Sequence, residues 1–191
     1  MSLPVETPKP TQKFPCVARE RLAALMTSRV LPEETPVALV YGGSTEAVMM
    51  ATPSDLEDFA IGFSITEGMI RTPGEIIEFE VIFRPDGVEL RMWLSSNREA
   101  AYQGRRRRLA GPTGCGLCGI ESIAEAVRSP AEVRDTSFFD PHCIPDAIAA
   151  LAPAQKLNDE THAMHAAGFY KPGCGLIDVR EDVGRHNAWT S

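Results

Sequence analysis

Two breaks in otherwise apolar, strand-like runs limit what this chain can fold into. Gly42-Gly43-Ser44 separates a run at 37–41 from one at 46–51, and Pro85-Asp86-Gly87 separates 75–84 from 88–95. Glycine tolerates the positive φ of a tight turn, and proline presets the angle at a turn's first corner. Strand-length runs on both sides of such breaks predict two β-hairpins. Between them, Thr52-Pro53-Ser54-Asp55 reads as a helix start, with Ser54 as N-cap and Glu57 completing a capping box. Leu56, Phe59, Ala60 and Phe63 recur at helical spacing, so the pattern predicts an amphipathic helix over about 54–70.

The second half reads differently. Residues 96–109 are polar and basic and are taken as a connector or exposed element. A helix is predicted over 121–128 and another around 145–155, with Pro145 in its first turn. Residues 176–179 read as a short strand. Hairpins first and helices later predict an α+β chain of two subdomains: a leader at 1–33, disordered at its start, an α+β part at 34–110, and a cysteine-loop part at 111–191. Residues 1–15 are proline-rich and polar and lack the apolar stretch of a secretory signal, which predicts a cytoplasmic protein. The 191 residues suffice for one full core or two small ones. A net charge of −7 argues against a general nucleic-acid binder, and no apolar run is long enough to span a membrane.

The chemistry concentrates in Gly114-Cys115-Gly116-Leu117-Cys118-Gly119. Flanking glycines clear space around the sulfurs and allow a tight backbone path. Five scattered cysteines, an odd number, suit reduced thiols better than a disulfide framework. A structural zinc site needs four ligands, usually as two pairs, and only one Cys-x-x-Cys pair is present. A zinc deaminase would need His-x-Glu upstream; none of His142, His162, His165 or His186 has glutamate two positions on. A thioredoxin-like site would follow an apolar strand, whereas this loop follows four arginines at 105–108. A thiolate that carries a group suits the setting best, because a helix N-terminus and nearby arginines lower a thiol pKa. The bland alternative is a pair of small residues in a tight turn.

Three other constellations bear on the site. The arginine run is either a solvated face or an anion clamp for phosphate or an acidic partner. His162 and His165 would share a helix face if that segment were helical, yet two histidines without a third ligand make a weak metal signal. Glu181-Asp182-Val183-Gly184-Arg185-His186-Asn187 suits an exposed ion-pair turn and a polar-ligand grip equally well.

Together these segments resemble the FdhD family of sulfur carriers required for active formate dehydrogenase. The resemblance runs from about 34 to 188. It rests on Thr52-Pro53-Ser54-Asp55-Leu56-Glu57-Asp58-Phe59-Ala60-Ile61-Gly62-Phe63, Thr66-Glu67-Gly68, the cysteine loop through Ile120-Glu121, His165-Ala166-Ala167, and Glu181 to Ala188. It implies a second subdomain with a cytidine deaminase-like fold, here incomplete. It implies persulfide sulfur taken from a cysteine desulfurase and passed to the molybdenum cofactor of formate dehydrogenase, a bis(molybdopterin guanine dinucleotide). Cys115 would carry the sulfur, with Cys118 as assisting or alternate thiol. Arg107, His165, Arg185 and His186 would contact the cofactor, which is substrate and ligand and not a tightly bound group. No metal site, nucleic acid or membrane is implied. The desulfurase, apo-formate dehydrogenase and a second copy of the chain are the implied partners. A non-catalytic maturation chaperone that binds apoenzyme or cofactor is the alternative, and a zinc-stabilised module a third. Two departures stand out. His162 occupies a position where the family has a small residue, and the family pattern continues past Ala188 through an Asp-Lys pair, which implies C-terminal truncation.

Overall fold

A computed structural model describes residues 7–20, 23–106 and 140–191. Its main body is a four-stranded sheet made of the two predicted hairpins. Strands β3 (Thr35–Tyr41) and β4 (Ser44–Ala51) form one hairpin, and β5 (Ile76–Arg84) and β6 (Gly87–Leu94) the other. They join through a parallel β3–β6 pairing, so the order is β4-β3-β6-β5. The register places Val37, Leu39 and Tyr41 beside Val88, Leu90 and Met92. Side chains alternate across a strand, and all six of these are buried on one face. Helix α1 (Leu56–Thr66) covers that face with Phe59 and Ala60, completing one apolar core with Met69 and Ile70. Gly87, at φ +154, lets β6 approach β3 closely: a Cβ there would strike the carbonyl oxygen of Pro36.

Two details of α1 correct the sequence reading. Ser54 does not cap the helix. Asp55 occupies the N-cap position at φ 49 with no side-chain cap bond, and Ser54 Oγ is buried without a hydrogen-bond partner among the described residues. The helix also ends at Thr66, short of 70. Gly68 adopts φ 73, its amide donates to Ile65 O at 3.0 Å, and a left-handed glycine of this kind stops a helix. The next amide, of Met69, turns back to Ser64 O at 2.8 Å, which folds Met69 and Ile70 under the sheet.

The segment expected to be a basic connector is α2 (Ser96–Arg106). One buried aromatic fixes it, not an apolar stripe. Tyr102 packs on Tyr41 with ring centroids 5.4 Å apart and donates to Glu46 at 3.0 Å, and Arg98 pairs with Glu75 at 2.8 Å. Tyr41 in turn shares a hydrogen bond with Ser64 Oγ at 2.7 Å, and burial pushes its phenol above the usual range.

The expected leader is corrected from Thr11 onward. Strands β1 (Thr11–Glu20) and β2 (Ala23–Pro32) pair antiparallel along their whole length as a separate two-stranded ribbon. Such a ribbon is marginal alone, and β2 rests beside the short helix at Lys156–Thr161.

After the second described gap come α3 (Cys143–Leu151), a short 3-10 turn, α4 (Lys156–Thr161), the hairpin β7 (His165–Lys171) and β8 (Gly175–Asp182), and α5 (Arg185–Thr190). The strand expected at 176–179 is thus the middle of a longer one, and the helix expected from Pro145 starts two residues earlier. The α+β expectation holds. The predicted helix at 121–128 and the loop with Cys115 and Cys118 lie outside the described residues. Helices α1 and α5 meet at Gly62, where a Cβ would fall on the Thr190 carbonyl.

Candidate functional site

Alternation along β7 and β8 builds the site. His165 pairs with Asp182, Ala167 with Arg180 and Phe169 with Asp178, so these six residues share one face of the hairpin. That face meets α1 and α5. His165 and the acidic end of the 181–187 motif, 17 positions apart in the chain, therefore stand directly opposite each other.

Asp182 holds this end together. Only 6% exposed, it accepts three hydrogen bonds: Oδ2 from the Thr52 amide at 2.8 Å, and Oδ1 from the Gly184 amide at 2.6 Å and Asn187 Nδ2 at 2.9 Å. The Gly184 bond makes the local turn that aspartate favours, in which its side chain accepts the main-chain amide two residues on. The Thr52 bond reaches across 130 positions to the segment preceding α1. Thr52 returns the contact, since its hydroxyl oxygen accepts the Val183 amide at 3.1 Å. Asn187 Nδ2 also donates to Met50 O at 2.9 Å, at the end of β4. Burial pushes the Asp182 carboxyl above its usual range, although the three donors oppose that shift.

The neighbouring carboxylate sets where β7 begins. Glu181 accepts the Leu157 amide at 2.9 Å and the Asn158 amide at 2.8 Å, satisfying two free donors in the first turn of α4. Helix α4 ends at Thr161, and His162 takes a left-handed conformation at φ 53 as its C-cap. Asn158 Oδ1 then accepts the Met164 amide at 3.2 Å, and the chain enters β7 at His165. The expectation that His162 and His165 share a helix face is corrected here, because the helix stops before both. Among the described residues no three histidine, cysteine, aspartate or glutamate side chains converge as metal ligands.

Arg185 and His186 open α5, both exposed, immediately after the Asp182 turn. Further along the same hairpin face, Arg180 reaches α1 and binds Asp58 Oδ2 from Nε at 2.8 Å, while its Nη1 donates to Asp178. That guanidinium holds the Asp178 carboxyl below the usual carboxylate range. Beside this ion cluster lies an open groove of about 590 Å³, whose walls include Asp58, Gly62, Phe169, Ile177, Arg180 and Trp189.

Of the residues singled out from sequence, His165, Arg185 and His186 thus come to one end of the β7–β8 hairpin. Arg107, Cys115 and Cys118 lie outside the described residues. Sequence reasoning gave no separate role to Thr52, Asp182, Asn187 or Arg180. For Asp182 a signal existed, the Asp-x-Gly spacing with Gly184; for the long-range partners Thr52 and Asp58 none did.

The model of the FdhD/NarQ family matches residues 32–189. The sulfur carrier protein FdhD of Agrobacterium fabrum is 53% identical over 161 residues, covering 84% of this chain and 59% of the relative. That of Cupriavidus necator is 44% identical over 180 residues, covering 94% of this chain and 62% of the relative. The chain spans about three fifths of the length of these relatives. Among solved structures, a Desulfotalea psychrophila protein described as a formate dehydrogenase accessory protein superposes with a TM-score of 0.68 at 22% identity. It covers 95% of this chain and 66% of that one, a likeness of fold.

Proposed function

Because the chain belongs to the FdhD/NarQ family, we propose that it is a sulfur carrier acting in the maturation of formate dehydrogenase. The sulfur comes from a cysteine desulfurase. The Cys115 thiolate attacks the outer sulfur of the donor's persulfide, the donor cysteine leaves as thiolate, and Cys115 keeps the sulfane sulfur. Cys118 assists or substitutes as the thiol. The acceptor is the bis(molybdopterin guanine dinucleotide) molybdenum cofactor, bound as substrate, with Arg107, His165, Arg185 and His186 as its contacts. Guanidinium groups suit its phosphates through paired, charge-assisted bonds. The setting is cytoplasmic, the chain pairs with itself, and residues 111–191 belong to a cytidine deaminase-like domain.

One observation carries this reading beyond the family match. Three separated segments of the motif set, around Thr52, His165 and 182–187, meet at Asp182: Thr52 and Gly184 donate to its carboxylate, and His165 is its partner across the strand pair. They leave Arg185 and His186 exposed beside the junction.

The test is sulfur loading. Incubated with a cysteine desulfurase and cysteine, the chain gains the mass of one sulfur atom, and Cys115→Ala loses that gain. A Cys115→Ala, Cys118→Ala protein that takes up as much sulfur as its parent refutes the carrier reading. If that double variant still activates formate dehydrogenase, the chaperone alternative replaces it.

A further inference from the structure

Of the two acidic residues of the 181–187 motif, Asp182 is the buried one. It is 6% exposed, and among the described residues its donors are two main-chain amides and one side-chain amide. A carboxylate so placed constrains the groups that donate to it. The Gly184 and Asn187 bonds set the first turn of α5, the turn that carries Arg185 and His186. The Thr52 bond ties that turn to the chain entering α1, and Asn187 extends the tie to Met50 O in β4. The strand pair His165–Asp182 adds the third exposed residue to the same junction.

We propose that Asp182 is a positioning residue: through Thr52, Gly184 and Asn187 it sets where Arg185, His186 and His165 stand when they meet a phosphate-bearing cofactor. This rests on the sulfur-carrier reading, and it separates two parts of that reading. Asp182 acts on the cofactor side alone, while sulfur is accepted at Cys115. Replacing the carboxylate by an amide keeps its shape, but its NH2 group must then face a donor. With the carbonyl in the place of Oδ1, which takes the Gly184 and Asn187 bonds, the NH2 meets the Thr52 amide, and the tie between this turn and the chain entering α1 must shift to relieve the clash.

The experiment uses the full chain and two readouts: sulfur loading by mass spectrometry, and binding of guanosine diphosphate, the nucleotide end of the cofactor, by calorimetry. Asp182→Asn is expected to load sulfur like the parent and to bind the nucleotide about ten- to a hundred-fold more weakly, the loss that goes with one or two misplaced charged hydrogen bonds. Asn187→Ala keeps two of the three donors on Asp182 and is expected to lose less. A merely structural role would lower loading, nucleotide binding and the melting transition together. A folded Asp182→Asn that binds nucleotide within twofold of the parent overturns the inference. Should Asp182→Asn not fold, unchanged binding by Asn187→Ala overturns it instead. A parent that loads no sulfur or binds no nucleotide brings down the carrier reading and this inference with it, an outcome distinct from equal binding by parent and variant.

Discussion

The four-stranded sheet and the β7–β8 hairpin are held in place by different physics. In the sheet, both central strands bury a full face of apolar side chains under α1, with Val37, Leu39, Tyr41 and Leu90 wholly excluded from solvent. In the hairpin and the helices that flank it, the buried groups are mostly polar: Thr161 at the end of α4, Asp182 in β8 and Asn187 in α5, with Met164 and Ala188 as the apolar company. Phe169, Ile177 and Trp189 stay exposed. Apolar burial is non-directional and scales with area, so it makes the sheet robust. Hydrogen bonds to charged groups are directional, and costly when one partner is lost. The hairpin end is therefore placed accurately by a few contacts and depends on each of them, which suits a site whose residues must stand in fixed relation.

That difference can be broken from either side. The largest expected effect is in the sheet: Leu90→Ala removes a fully buried side chain from the central pairing and should lower unfolding free energy by roughly 2–5 kcal/mol, read from urea denaturation. Gly62→Ala comes next. Its new methyl group meets the Thr190 carbonyl and forces α5 away from α1, a loss of about 1–3 kcal/mol. In an amide-exchange experiment the change should fall on α5 and the segment after Asp182, leaving β3 and β6 protected.

The smallest effects are electrostatic, and two carboxylates on one hairpin face should act in opposite senses. Asp178 is held below the usual range by Arg180. Its contribution is therefore present above the unfolded value of ~3.9 and lost as pH falls through the lower folded value. Asp182 is pushed up by burial. The folded state takes its proton more readily, so its contribution is present below ~3.9 and lost as pH rises through the folded value. Between pH 7 and 3, Asp178→Asn should make the urea midpoint less sensitive to acid, and Asp182→Asn should make it more sensitive. The Asp178 effect is the weaker, because that side chain is 58% exposed and screened.

Both hairpins of the sheet were legible in the sequence because their signals are local: a turn former between two strand-length runs. The hairpin β7–β8 was half legible. Its second strand showed as an apolar run, whereas His165-Ala166-Ala167-Gly168 has no strand pattern and takes its conformation from pairing with 179–182. Helix α2 was missed for a related reason, since Tyr102 supplies its anchor from the tertiary fold. The capping box at Ser54 and Glu57 was a sound local pattern that the fold overrode, with Asp55 in the cap position. At the site, residue types pointed to the 181–187 motif and to His165. Only the register could show that Asp182 stands opposite His165, and only the fold could bring Thr52 to it.

Amide hydrogen exchange on Asp182→Asn, compared with the parent, measures most directly whether one buried carboxylate assembles this end of the molecule. Protection should fall at Thr52, Val183, Gly184 and the first turn of α5, while residues 37–41 and 88–94 keep theirs. Unchanged protection at Thr52 and Gly184, or an equal loss throughout the sheet, would show that Asp182 does not organise the site.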